Sequence, residues 1–199
     1  EGMMLRIRFK EGSGRNESIL NAAAGTAVPM DMPIAILING GTASSSEILT
    51  GALSDNGRAI TVGSKTFGKG ISQEVRPFSE GYVQITTGHF YTPSGDDIHH
   101  VGISPDIAIE EEEYSEEDME AYSIFMKEEL IGPFVDGHPE YSHENVESFV
   151  SENDESGVPS SLLELLVRNE YLYRMDWDER PVAEPMYDEA LTAALEALS

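Results

Sequence analysis

The chain of 199 residues contains no cysteine. That excludes a disulfide framework, a thiolate metal site and a cysteine nucleophile, but it leaves the compartment open, because many exported bacterial proteins also lack cysteine. Basic residues are scarce: 12 Lys and Arg stand against 37 Asp and Glu, for a formal net charge of -25. The scarcity is uneven, with 8 basic and 10 acidic side chains in residues 1–100 but 4 and 27 in residues 101–199. So acidic a second half repels polyanions, which argues against nucleic-acid binding and implies two segments under different demands. Apolar runs are only a few residues long, too short for a transmembrane segment. The opening EGMMLRIRFKEG is strand-like and has no signal-peptide layout. No HExxH spacing occurs, so His89, His99, His100, His138 and His143 form no recognisable zinc site, and none sits in a triad layout.

What is present reads as an α/β protein. Leu5, Ile7 and Phe9 alternate with Arg6, Arg8 and Lys10, the period of a half-buried strand, and EGSGRN after them is a turn. A loop, NAAAGTAVPMDMP, leads to IAILI at 34–38, a continuous apolar run that predicts a strand covered on both faces. Ile48, Leu49, Ala52 and Leu53 then fall at helical spacing, predicting a helix over 45–55, and AITVG at 59–63 predicts a second buried strand. Strand, helix and strand make a βαβ unit with a right-handed crossover. Further strands are expected at 71–76 and 82–87, a turn at 92–95, and a mixed core to about Ile109. Beyond it, EEEEYSEEDME at 110–120 begins a helix or forms a solvated connector, and 132–159 is turn-rich with one helical candidate near 144–150. Ser161 and Glu164 have capping-box spacing before LLELLVRNEYLY, and 184–198 predicts a last amphipathic helix. The division is therefore 1–109 as core and 110–199 as an acidic, mainly helical extension.

The octet GGTASSSE at 40–47 carries the candidate chemistry. Ser44 and Glu47 have capping-box spacing, which explains the serine structurally. The same turn would also expose a nucleophile at the end of a sheet, beside helix N–H groups able to stabilise an oxyanion. A serine needs a base, and Lys65 and Lys69 lie in the glycine-bounded loop after the second strand. An ordinary lysine is neutral about once in 2,500 at pH 7, so a lysine base requires burial to shed its proton. On the residues alone, cap and catalyst both stand.

The runs NGGTASSSEILTGALSDNGRAITVGSKTFGKGISQ and GYVQITTGHFYTPSGDDIHHVGISPDIAIE, spanning roughly 33–109, resemble the core of the carboxyl-terminal processing peptidases (tail-specific proteases) of the S41 serine peptidase family. The resemblance implies a crotonase/ClpP-like α/β core with a mixed sheet, hydrolysing protein substrates through a Ser-Lys pair and an acyl-enzyme, with no metal or cofactor. Position by position, it makes Ser44 the nucleophile, Lys69 its base and Gln73 the residue that positions the lysine. Ser45 supplies a backbone oxyanion N–H, and Asp55 has an auxiliary or helix-terminal structural role. It also implies an upstream glycine pair, a PDZ domain and an extracytoplasmic location; since no such upstream segments precede the strand at 34–38, it implies a C-terminal part of a longer protein. A homo-oligomer stays open. Two alternatives remain: a non-catalytic binding or assembly module on the same fold, and an acyl-CoA enzyme of the crotonase superfamily, which leaves TFGKG-x-x-Q unexplained.

Overall fold

The computed structural model describes residues 2–12, 14–23, 25 and 28–199. Ser13 of the expected EGSGRN turn and Ala24, Thr26 and Ala27 of the expected 21–33 loop lie outside the described residues. The chain forms two compact units, residues 1–111 with 184–199 and residues 112–183. Residues 184–199, expected as part of the extension, group here with the first unit.

In the first unit, strands β1 (Met3–Phe9), β2 (Glu17–Asn21), β5 (Ile71–Phe78) and β6 (Gly81–Tyr91) form an antiparallel sheet in the order β2-β1-β6-β5. The alternation in β1 turns Leu5 into the core and leaves Arg8 outside, 4.7 Å from the Tyr91 ring centre and bonded to Glu17. A second, parallel sheet has the order β3 (Ala35–Ile38), β4 (Ile60–Gly63), β7 (Ile107–Ala108). Helix α1 (Ser45–Asp55) connects β3 to β4 and packs on β1 and β4. Burial of Ile38, Ala52, Val62 and Ile98 closes this core. The C-terminal helix α6 (Glu189–Leu198), capped by the Asp188 carboxylate on Leu191 N–H, packs on β3 and β4. It leaves Leu37 43% exposed, so β3 is not covered on both faces as the apolar run predicted.

The second unit is helical: α2 (Glu116–Phe125), α3 (Ile131–Gly137), α4 (His143–Glu152) and α5 (Ser160–Arg174). Ser115 and Asp118 form a capping box at α2, so the acidic run ends in a helix start. The core gathers Phe125, Val135, Val146, Phe149, Leu163 and Val167, with Phe134 and Phe125 both edge-on to Phe149. Two expectations are corrected. The stretch 132–159 contains α3 as well as α4; α3 is fastened by Arg174, whose guanidinium donates to Gly132 O and Asp136. No capping box forms at Ser161, because Pro159 takes the N-cap position and places Ser161 inside the first turn, its hydroxyl buried without a partner among the described residues.

Candidate active site

The three-serine turn follows β3 directly, and the backbone distinguishes its serines. Ser44 is the N-cap of α1 with φ 58° and ψ -115°, a conformation that a residue with a side chain adopts at a cost of roughly 1–3 kcal/mol. Ser45 and Ser46 lie within the first helical turn. A sharp strand-to-helix turn of this kind is how a nucleophile is held clear of its own sheet. Glu47 supplies one half of the capping box by accepting the Ser44 N–H at 2.9 Å. The Ser44 side chain faces the Glu47 N–H, the other half of that box. Ser45 N–H, first of the helix, has no acceptor among the described residues, as helix geometry requires of that position.

Glu47 is fully buried and does more than cap. Its Oε2 accepts Ser44 N–H and, at 2.8 Å, Lys69 N–H; its Oε1 accepts Thr66 Oγ–H at 2.6 Å and Gly68 N–H at 2.7 Å. Four donors match the acceptor capacity of an ionised carboxylate. One oxygen thus ties the serine turn to the lysine loop, and a backbone bond from Phe67 N–H to Thr42 O (2.9 Å) adds a second tie. The sequence marks Glu47 only as a cap. Its three distant donors lie 19 to 22 residues away, where local spacing carries no signal.

The lysine loop is itself clamped by the 98–103 segment. His100 N–H donates to Gly68 O, Thr66 N–H to Ile103 O, and Ile103 N–H to Thr66 Oγ. Gly70 is required because a Cβ there would lie 2.5 Å from His99 N and 2.9 Å from Ile98 Cβ. Gly68 adopts φ +85° against the Gly102 backbone, which again favours glycine. The His99 and His100 rings lie with centres 3.9 Å apart, tilted by 33° to one another.

The other nominated residues fall as follows. Lys69 and Lys65 are exposed, and the Lys69 ammonium has no hydrogen-bond partner among the described residues. Lys69 precedes β5, while Gln73 lies within it just past a bulge between Ser72 and Gln73, so the two do not share one regular strand. The Gln73 carbonyl accepts from Gln84 Nε2 at 2.8 Å on β6. Asp55, at the C-terminal end of α1, accepts Ser94 N–H (2.8 Å) and Ser94 Oγ–H (2.7 Å), fastening the YTPSG turn to the helix. Burial pushes its pKa up, but the hydrogen bonds from Ser94 and Thr92 outweigh it and hold the carboxyl below its ordinary value. Asp106 plays a similar part for β4, accepting Thr61 N–H and Oγ–H at 2.8 Å each. Beside Asn39, at the ends of β3 and β4, lies a crevice of about 310 Å³ lined by Ser64, Glu111 and Ala190. In it Glu111 accepts from Ser64 Oγ–H and Gly40 N–H. Among the described residues no cluster of His, Asp and Glu has a metal-holding arrangement.

The sequence profile of peptidase family S41 matches residues 4–109, more than half of the chain. The chain belongs to peptidase family S41. This S41 chain is 50% identical over 82 residues to a carboxy-terminal-processing protease of Bartonella bacilliformis, which covers 41% of the chain and 19% of that protein. It is 42% identical over 92 residues to the chloroplastic C-terminal processing peptidase of Tetradesmus obliquus, covering 46% and 20%. Among solved structures, the photosystem II D1 C-terminal processing protease aligns at 36% identity and a TM-score of 0.47, over 55% of this chain and 27% of that one. The S41 chain thus spans about a fifth of the length of these curated relatives. Among its described residues no helix is long and apolar enough to cross a membrane.

Proposed function

We propose that this chain carries the core of a serine endopeptidase of the carboxyl-terminal processing type, on a crotonase-like fold, with Ser44 as nucleophile and Lys69 as general base. One observation supports it most: a single buried carboxylate oxygen, Glu47 Oε2, receives both the Ser44 and the Lys69 backbone N–H, which sets the two residues beside one another. Ser44 Oγ attacks the substrate carbonyl carbon while neutral Lys69 Nζ takes the hydroxyl proton. The oxyanion is received by Ser45 N–H at the positive end of α1. Lys69 then passes the proton to the leaving amine as the C–N bond breaks, giving an ester on Ser44. Water, deprotonated by the same amine, hydrolyses the ester and restores the serine.

Substrate seated over the exposed Lys69 excludes water from it, which favours the neutral amine the mechanism needs. Gln73 steadies that amine once its carbonyl leaves Gln84. Asp55 acts through the Ser94 turn and is assigned a structural part. The substrates are proteins with accessible apolar tails, met outside the cytoplasm. No metal or cofactor takes part.

The test is cleavage of an unfolded protein by the full-length protein carrying Ser44→Ala or Lys69→Ala. Each variant is expected to lose about three orders of magnitude in turnover or more; wild-type rates in both overturn the assignment. A second reading, a binding or assembly module without chemistry, is favoured by the Gln73–Gln84 bond, which occupies the Gln73 side-chain carbonyl. It predicts no cleavage by the unaltered protein under any condition in which it is folded.

A further inference from the structure

Residues 112–183 hold 20 acidic and 4 basic side chains, yet the end of α5 and the turn after it lay large apolar groups open to water. Tyr173 is 80% exposed, Trp177 83% and Val182 completely. With Leu172 and Pro181 they wall a groove of about 610 Å³. Side chains so costly to hydrate, grouped around one concavity, mark an interaction surface.

The charges around it select the partner. Trp177 lies between Asp176 and Asp178, followed by Glu179, all exposed. The nearby cations are already engaged. Arg180 donates to Met175 O and Tyr173 O at 3.3 Å each and sits 5.6 Å from the Trp177 ring centre. Arg174 is held by Asp136 and Glu170. Arg180 shows the recognition in miniature, a guanidinium against an indole with backbone carbonyls as acceptors, and most of the indole surface stays open for a second cation.

We propose that this groove docks a peptide segment of a partner protein in which Lys or Arg stands beside an apolar side chain. The apolar group fills the groove, the cation meets Trp177 and the acidic rim, and the rim's field steers the encounter. The same field disfavours the other occupants: nucleic acid and anionic membrane are repelled, and so is a second copy carrying a formal charge of -25.

Trp177 is the only tryptophan in the chain, so its emission reports on this groove alone. The full chain, carrying Ser44→Ala to keep the probe intact, is titrated with a synthetic Lys-, Arg- and Leu-containing peptide that lacks tryptophan. A saturable blue shift is expected, weakening from low to physiological salt. Asp176→Asn with Asp178→Asn is expected to raise the dissociation constant about tenfold. The proposal is overturned if emission does not change, or if a Glu-containing peptide of equal apolar content shifts it equally. It is also overturned if the shift follows protein concentration without peptide, which would make the occupant a second copy.

Discussion

Replacing Glu47 by Gln removes one acceptor oxygen from the centre of the candidate site while keeping size and shape. The wild-type carboxylate receives four donors at 2.6 to 2.9 Å in full burial. A glutamine offers one carbonyl oxygen, enough for two of them, and its NH2 faces the other two donors. If the carbonyl keeps Thr66 and Gly68, the amide confronts Ser44 N–H and Lys69 N–H. Each buried N–H left unsatisfied costs about 1–3 kcal/mol, and the two remaining bonds weaken because the acceptor is no longer charged. The sum is roughly 3–6 kcal/mol, a large share of the 5–15 kcal/mol that typically holds a domain together. Urea unfolding should show a loss of that order, or the loop should separate from the serine turn in a protein that stays folded. In the second case, amide exchange at Ser44 and Lys69 should accelerate together while β1 and β6 stay protected. A Gln variant with wild-type unfolding free energy and wild-type exchange at both amides would refute the clamp.

Other perturbations separate the structural supports. Gly70→Ala should destabilise by about 1–3 kcal/mol in thermal melts, since its Cβ would meet the His99 backbone, whereas Gly40→Ala, with nothing within 4 Å, should stay within about 0.5 kcal/mol. Asp55→Asn should cost about 1 kcal/mol at neutral pH, a figure discounted for its exposed position. Because the folded pKa of Asp55 is depressed, that contribution is present above its ordinary value of 3.8 and is lost as pH falls toward the folded value. Urea midpoints of wild type and Asp55→Asn should therefore converge at acid pH, and an equal gap at pH 7 and well below 3.8 would contradict the Ser94 link. In the second unit, Leu163→Ala, at a position with no exposure, should cost about 2–5 kcal/mol by urea unfolding; a loss below 1 kcal/mol would show that this core collapses around the gap.

The elements that the sequence made legible are those whose own residues carry the signal. The alternation at 5–10, the apolar runs that became β3 and β4 and the helical spacing after Ser44 all led to the right element, because burial of one face or both writes itself into adjacent positions. Strand β2 did not, since ESILN is almost wholly exposed and its place is set by pairing with β1. Helix α3, with two glycines and a proline in IGPFVDG, has poor intrinsic propensity and is held by α5 through Arg174 and buried Val135. Ser161 shows the reverse failure: capping-box spacing was present, but Pro159 started the helix earlier. At the candidate site, the motifs of the resemblance nominated Ser44 and Lys69. The carboxylate that relates them was hidden, because hydrogen bonds to a backbone N–H depend on where the chain passes and hardly on which side chain it bears. For the same reason the bulge before Gln73 and its bond to Gln84 could not be read from a four-residue spacing.

The central claim is that Ser44, alone of three adjacent serines, becomes acylated with Lys69 as its base. The most direct measurement is peptide mapping by mass spectrometry of the full-length protein, acid-quenched during turnover of an activated peptide ester. The account predicts an acyl adduct on Ser44 that is lost in Ser44→Ala and greatly slowed in Lys69→Ala. An adduct on Ser45 or Ser46, or undiminished acylation without Lys69, would contradict it.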